Sequence, residues 1–594
     1  MAYNWDKTIE YPITDWFLAM LNGARMDMAM AGYITLLPGL IIALTVGIKG
    51  SFIRPVINFY TLLWMLISAF LVAVDMELYR HWGFRLDATP LNYIGGDNNL
   101  TNVAPIGTTL KLIPILLLTV WVGFRFYLRV VAKQFNLLSP INWVKGLAFI
   151  ILTALLIVPI RSSFDVAPMN IGFVYFHKQP YPNHSAINVV WNAFYSLTKF
   201  NKTRYPNNYF DKENTEQIFT DLYKDNGTTT KLLKTDRPNI ILIVWESLNA
   251  QIVEELGPEK GVTPQLSKLI KEGVLFSNFY ATGDRTDKGI PGVLSSYPSQ
   301  PKTAIIKFNN KLETMDFLSM DLRKHGYDTE FIFGNDVNFA NFNSYFNIAG
   351  FEKVIHKLDF PQELWTTKWG VHDEHVFKRI LDELNTKPQD KPFFLTTLTI
   401  SSHEPFDVPL EPKAFPGEDK TNMFLNSYYY TDKCVGEFIS EAKKQPWWDN
   451  TLVIITGDHG ALYKDDIQYY SRERYQIPMV WTGGALAVQD TVVSKYGSQT
   501  DIATTVLHQL DINKRYKFGK NLLSSESNNF AFYTLNDGYG FVSDSLELIY
   551  DNVGKQYIVN KGTENSDTLN IPKAYMQSIY TDFNNRGNEV LIKK

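Results

Sequence analysis

Four long apolar segments lie ahead of Arg161: residues 30–48, 56–74, 110–120 continuing to 131, and 144–160. Each approaches the roughly 20 apolar residues that carry a helix across a hydrocarbon core. One such segment alone reads as a buried core helix; four in succession read as a membrane domain. No basic start followed by an apolar stretch occurs in "MAYNWDKTIEYPITDW", so no cleavable signal peptide is visible. Lys49 and Arg54 follow the first segment, and Arg125, Arg129, Lys133 and Lys145 flank the gap after the third. The intervening loop, 75–108, holds only Arg80, Arg85 and several acids. By the positive-inside rule the two basic loops face the cytoplasm, which places the N-terminus and everything after Arg161 outside. An outside N-terminus without a targeting signal suggests a further span upstream of residue 1.

At 594 residues the chain is too long for one ordinary domain. Its formal charge is −4 and no basic stripe stands out, which argues against a nucleic-acid partner. The one cysteine, Cys434, rules out an intrachain disulfide and a Cys-based zinc cluster.

After the membrane domain (1–161), residues 162–236 are aromatic, Asn-rich and punctuated by Pro, and read as a connector along the membrane surface or around the next domain. From "RPNIILIVWES" onward, strand-like runs alternate with amphipathic helical stretches: "PQLSKLIKEG", "YDTEFIFG", "DEHVFKRILDELN", "PFFLTTLTIS", "TLVIITGDHG". This alternation predicts an α/β domain with a mainly parallel sheet over 237–525. Residues 526–594 read as antiparallel hairpins, a small appended sheet.

Chemistry gathers where these strands end. "IILIVWESLN" is an unalternating apolar run, as in a buried parallel strand, and stops at Glu246. Ligand sites in open α/β sheets lie just beyond such carboxyl ends. "TLVIITGDHG" ends in Asp458 and His459, between glycines that permit a turn, and this pair suits a divalent metal. "TLTISSHEPF" delivers His403 to the same edge. In "TGDRTDKGIPGVLSSYP", Thr286 stands ahead of a helix, where unpaired N–H groups favour an anion. Taken singly, Thr286 is a good helix cap, His403 a structural histidine, and Glu246 the end of a strand. Converging on one edge, they make a site. A metal held by Glu246, Asp458 and His459 would lower the pKa of the Thr286 hydroxyl and polarise a phosphoryl oxygen. Threonine would then attack phosphorus and divide one transfer into two steps. His403 would hold the phosphate or protonate the leaving oxygen, and Arg285 and Lys288 would add positive charge.

In order, "NIILIVWES", "DRTDKGIPGVL", "TISSHEPF", "IITGDHG", "RYQIPMVW" and "SQTDIATTVL" resemble the lipoteichoic acid synthase family, membrane-anchored phosphoglycerol transferases with a sulfatase-like, alkaline-phosphatase-type domain. The resemblance covers the whole plan of spans, connector and extracellular or periplasmic catalytic domain on a cytoplasmic (inner) membrane. It implies a threonine nucleophile, Thr286, sharing one divalent ion with Glu246, Asp458 and His459, and a substrate histidine at His403. It also implies manganese as the ion, with magnesium or zinc compatible with the ligand types. The implied donor is a membrane phospholipid and the acceptor an envelope glycan or polymer. One departure stands out. Polymerising members carry a Trp and an Arg for the head group after the "YDTEFIFG"-type strand, and "GNDVNFANFNSYFNIAGFEKVI" has neither. Asn335, Asp336, Asn338 or Asn341 would then recognise a different group.

Three rival readings share parts of this pattern. Phosphoethanolamine transferases use a threonine nucleophile, but usually with several disulfides. Sulfatases need a Cys or Ser in a C/S-x-P-x-R setting, which "RTDKGIP" lacks, whereas phosphatase or phosphodiesterase activity needs only water as acceptor. A non-catalytic glycan- or lipid-binding protein is expected to have a degenerate site, and here all four metal and nucleophile positions are kept. A transporter needs ionisable residues within its spans, and these have few.

Overall fold

The computed structural model describes residues 2–82, 85–87, 106–136, 140–163, 168–177, 180–200, 209–388, 390–461, 467–536, 538–552 and 554–587. The chain divides into two compact units, Met1–Lys202 with Gly587–Lys594, and Thr203–Arg586.

In the first unit, α1 (Ile13–Leu44), α2 (Gly50–Trp82), α3 (Ile106–Val130) and α4 (Trp143–Ala154, its line carried on by Ile157–Arg161) supply four helices long and apolar enough to cross a membrane. Their outward surface is apolar, as at Leu118, Trp121 and Phe126. α1 begins well before residue 30, where hydropathy placed the first segment. Asp15, Arg25 and Asp27 dilute the apolar signal of its first half without breaking the helix. α2 likewise runs through 75–82, which the sequence assigned to a loop, and Asp75 then accepts Leu86 N–H at 2.7 Å and pairs with Arg85 at 3.1 Å. The loop's remainder, 88–105, lies outside the described residues. α1 packs on α4 and α2 on α3. The α1–α4 approach needs Gly39, where a Cβ would stand 2.4 Å from Thr153 Oγ1. A further helix, α5 (Val189–Phe200), packs on α2.

The second unit is built on one large sheet. Its elements in order are β1 (Asn239–Trp245), α6 (Pro264–Lys271), β2 (Val274–Phe276), α7 (Thr286–Ser295), β3 (Asp328–Phe333), β4 (Lys353–Ile355), α8 (Asp373–Asn385), β5 (Phe393–Leu398), α9 (Lys420–Ala442), β6 (Thr451–Gly457), β7 (Met479–Thr482) and β8 (Thr491–Val493). The strand order is β4-β3-β5-β1-β6-β7-β2-β8, and only β7 runs against its neighbours. β1 and β6 are buried at every residue, which is why both read as unbroken apolar runs. Register aligns the carboxyl ends: Phe333 pairs with Leu398, Leu398 with Val244, and Val244 with Thr456. Four parallel strands therefore stop in one row, and the residues just past them share an edge.

The chain ends in an antiparallel sheet, β9 (Ala531–Leu535), β10 (Gly538–Val542), β11 (Glu547–Asp551) and β12 (Gln556–Lys561), as expected from sequence. It is followed by α10 (Ser566–Asn585), a helix the sequence reading did not contain. Its apolar side, Tyr575, Ile579 and Phe583, has helical spacing but is flanked by polar residues and interrupted by Pro572. Residues 209–236, from the stretch read as a connector, fall in this unit, and Tyr223 OH meets Tyr575 OH at 2.8 Å.

Beside the sheet lies a buried ion pair. Lys520 Nζ is 2.6 Å from Asp501, both about 3% exposed, and Asp501 also accepts N–H bonds from Ser498 and Lys520. Breaking one partner of such a pair strands a buried charge, so Lys520→Met is expected to cost about 3–5 kcal/mol. Thermal unfolding checks this: the midpoint falls if the pair anchors this region and stays unchanged if it does not.

Candidate active site and metal centre

Trp245 pairs with Gly457, so the next residues on the two strands, Glu246 and Asp458, stand side by side. Both are buried, at 2% and 0% exposure. Glu246 is pinned through its backbone: its N–H donates to Thr399 Oγ1 at 2.9 Å, and its carbonyl accepts from Ser402 Oγ at 2.8 Å. Ser247 adopts a left-handed φ of 58°, which turns the chain so that its N–H donates to Asp458 Oδ1 at 2.6 Å and its hydroxyl to Glu246 Oε1 at 2.7 Å. Among the described residues none makes a hydrogen bond to the second Asp458 oxygen, Oδ2, which is buried.

His459 completes the cluster. Its Nδ1 lies 3.2 Å from Gly460 O, so Nδ1–H donates there and Nε2 faces the carboxylates. Nε2 is 3.6 Å from Glu246 Oε1 and 3.5 Å from Asp458 Oδ2. One ligand atom from each of the three residues lies within 4.8 Å of the others. Two buried carboxylates facing one another repel unless a cation, a metal ion or the protonated His459 ring, stands between them. The titration behaviour shows the same strain. Burial, then Asp458, pushes the Glu246 carboxyl up to about 8, with His459 and Ser247 partly opposing. Burial works to lower His459, and the charges of Asp458 and Glu246 more than offset it. The orphaned Oδ2 and this donor set fit a divalent ion.

Thr286 is the first residue of α7, and its Oγ1 lies 3.5 Å from Glu246 Oε2. That approach requires Gly289, one turn along, where a Cβ would fall 1.9 Å from the Asp458 carbonyl. Gln499 holds the same junction: its amide donates to Gly457 O at 2.8 Å and Asp458 O at 2.7 Å, and its oxygen accepts from Thr282 N–H at 2.9 Å.

The structure thus brings Glu246, Thr286, Asp458 and His459 together. His403 lies past β5, with Nδ1 3.0 Å from Glu404 O, and burial lowers its pKa despite that carbonyl and the Asp458 charge. Lys288 is turned away into a buried pair, its Nζ 2.9 Å from Asp284 and 3.3 Å from Pro301 O. Arg285 is exposed at the head of α7. Of the asparagines after β3, Asn341 serves the fold through Ile306 O and Asn309. Asn335 sits at the strand-end row, buried, with its Nδ2 unpaired. Gln499, Ser247, Thr399 and Ser402 were missed by sequence reasoning; a hydroxyl beside a strand end was the local signal for the last three, and Gln499, reaching 457–458 from a distant segment, had none.

Residues 238–512 match the sulfatase family model. Among curated relatives, lipoteichoic acid synthase 2 of Bacillus subtilis (strain 168) is 27% identical over 356 residues, covering 56% of this chain and 53% of that one. Phosphoglycerol transferase I of Xanthomonas axonopodis pv. citri (strain 306) is 26% identical over 311 residues, covering 49% and 43%. The chain spans about half the length of the curated relatives it matches. Among solved structures, an alkaline phosphatase superfamily protein from Vibrio parahaemolyticus superposes with TM-score 0.56 at 24% identity, covering 64% of this chain and 97% of that one. The lipoteichoic acid synthase LtaP from Listeria monocytogenes gives 0.53 at 20%, covering 63% and 98%. Both share the fold.

Ion uptake must displace the proton that Glu246 carries below about pH 8. Divalent-ion affinity is therefore expected to rise with pH and level off above about 8, with proton release on binding below it. Titration calorimetry in two buffers of different ionisation heat counts that proton. Glu246→Gln should bind at least about a hundredfold more weakly.

Proposed function

We propose that this chain, which matches the sulfatase family model and resembles lipoteichoic acid synthase and phosphoglycerol transferase relatives, transfers glycerol phosphate from phosphatidylglycerol to an envelope glycan or polymer. The observation that carries this reading is the Thr286 hydroxyl, at a helix N-terminus and 3.5 Å from a buried carboxylate of a three-residue metal cluster.

Glu246, Asp458 Oδ2 and His459 Nε2 would hold one divalent ion, manganese in our reading. When bound, the ion supplies the positive charge that favours the Thr286 alkoxide and draws electron density from a phosphoryl oxygen. The free N–H groups at the start of α7 add to the field on the phosphate. Thr286 Oγ1 attacks phosphorus; the Thr286 O–P bond forms, and the bond from phosphorus to the diacylglycerol oxygen breaks. The proton that Thr286 loses passes to water, and the departing diacylglycerol oxygen takes one from water and leaves as the alcohol. An acceptor hydroxyl then attacks the same phosphorus and frees Thr286. His403 suits this second transfer. Its lowered pKa keeps the ring neutral at physiological pH, ready to take the acceptor's proton. Arg285 is exposed beside Thr286 and free to meet the outer phosphate oxygens. Lys288 acts only through Asp284. By the positive-inside rule the basic loops support a catalytic unit on the outer side of the cytoplasmic membrane, where donor lipid and envelope acceptors meet.

Donor identity is the sharpest test. The full chain, reconstituted with manganese in vesicles of phosphatidylglycerol or of phosphatidylethanolamine, is expected to release diacylglycerol from the first only. Thr286→Ala should be at least about a thousandfold slower. Release from phosphatidylethanolamine alone would transfer the protein to the rival class, and full activity of Thr286→Ala would remove it as nucleophile.

A further inference from the structure

Trp369 lies in the segment before α8 and reaches the loop after β5. It is 8% exposed, and its indole N–H donates to the Glu404 carbonyl at 2.7 Å. The same carbonyl faces His403 Nδ1 at 3.0 Å, and the indole covers the imidazole with ring centroids 4.0 Å apart at 52°. Phe339 braces the indole from the other segment at 5.3 Å, edge to face. The segment carrying Trp369 is itself rigid: Thr367 Oγ1 accepts the N–H groups of Trp369 and Gly370 at 3.0 and 2.8 Å. Four residues on, the buried Asp373 carboxylate accepts N–H bonds from Ile400 at 2.8 Å and Ser401 at 3.2 Å. The loop holding His403 is thus gripped on both sides by one neighbouring segment, at Ile400–Ser401 and at Glu404.

We propose that Trp369 is the positioning residue of His403. By fixing the Glu404 carbonyl and covering the ring, it keeps the His403 proton on Nδ1 and leaves Nε2, with its lone pair, as the nitrogen that meets substrate. A neutral imidazole can carry its proton on either nitrogen, and the hydrogen bond made by one decides the state of the other. Only the Nδ1–H form can take a proton at Nε2. Without the indole, the Glu404 carbonyl loses one of its two donors, the ring loses its wall, and the wrong tautomer becomes accessible. The catalytic consequence rests on the role proposed above for His403; the tautomer does not.

The test uses the full-length protein with diamagnetic magnesium in place of manganese and nitrogen-15-labelled histidine. The His403 imidazole signals are identified by their loss in His403→Gln. Wild type is expected to show the Nδ1–H tautomer above the ring's pKa. Trp369→Ala should give a mixture of tautomers, and Trp369→Phe, which keeps a ring but loses the N–H, an intermediate state. In turnover of phosphatidylglycerol, Trp369→Ala should lower kcat about ten- to a hundredfold with KM changed less than about threefold, part of the general-base contribution, while manganese affinity is retained. A tautomer unchanged in both variants overturns the proposal whatever the activity. Loss of manganese affinity in parallel with kcat also overturns it, in favour of a merely structural role. If the tautomer shifts while wild type has no transferase activity, the positioning role stands and the function proposed for the site falls.

Discussion

Two buried carboxylates brought side by side are the constraint on which this structure turns. The pairing of β1 with β6 puts Glu246 and Asp458 next to each other at the ends of fully buried strands, where neither can be solvated. Such an arrangement is costly for the folded chain. The surroundings relieve it only in part: Ser247 and the His459 backbone N–H donate to the carboxylates, and the His459 ring opposes their charge. His459 Nε2 stands 3.6 Å from Glu246 and 3.5 Å from Asp458, whose charges raise the ring's pKa. The sheet therefore stores a demand for a cation at its edge, and α7 is packed so that a hydroxyl stands beside it. Folding and catalysis meet in the register of two strands.

The supports around this edge form a graded set. Gly289 lets the first turn of α7 rest on the Asp458 carbonyl. Gln499 joins the end of β6 to the approach to Thr286. Thr399 and Ser402 tie the Glu246 backbone to the loop that also carries His403. One loop thus sets both a metal ligand and a candidate base, so a change in either is felt by the other. Rigid packing of this kind is what preorganised electrostatic catalysis requires.

Much of this was legible in the sequence, because the signals were local. Glu246, Asp458 and His459 each follow an unbroken apolar run, and Thr286 opens a helix; strand ends and helix starts are written in a few adjacent residues. What was not legible depends on distant partners. Lys288 looks like a phosphate ligand beside Thr286 until Asp284 and Pro301 are seen to hold it. Gln499 and Trp369 act on carbonyls at 457–458 and 404, which no spacing rule connects to them. The same applies to the helices. The start of α1 was hidden by three charged residues that a helix tolerates, and α10 by a polar setting and Pro572. Hydropathy finds what is apolar, whereas caps and tertiary contacts decide where a helix begins.

The central claim is a covalent phosphoryl link at Thr286. Intact-mass spectrometry of the full-length protein, acid-quenched during turnover with manganese and phosphatidylglycerol, tests it most directly. The account predicts the addition of one glycerol phosphate, localised to Thr286 by peptide mapping and absent from Thr286→Ala. Wild-type protein that releases diacylglycerol while the bond to Thr286 never forms, under conditions that trap an acyl or phosphoryl enzyme elsewhere on the chain, would contradict it.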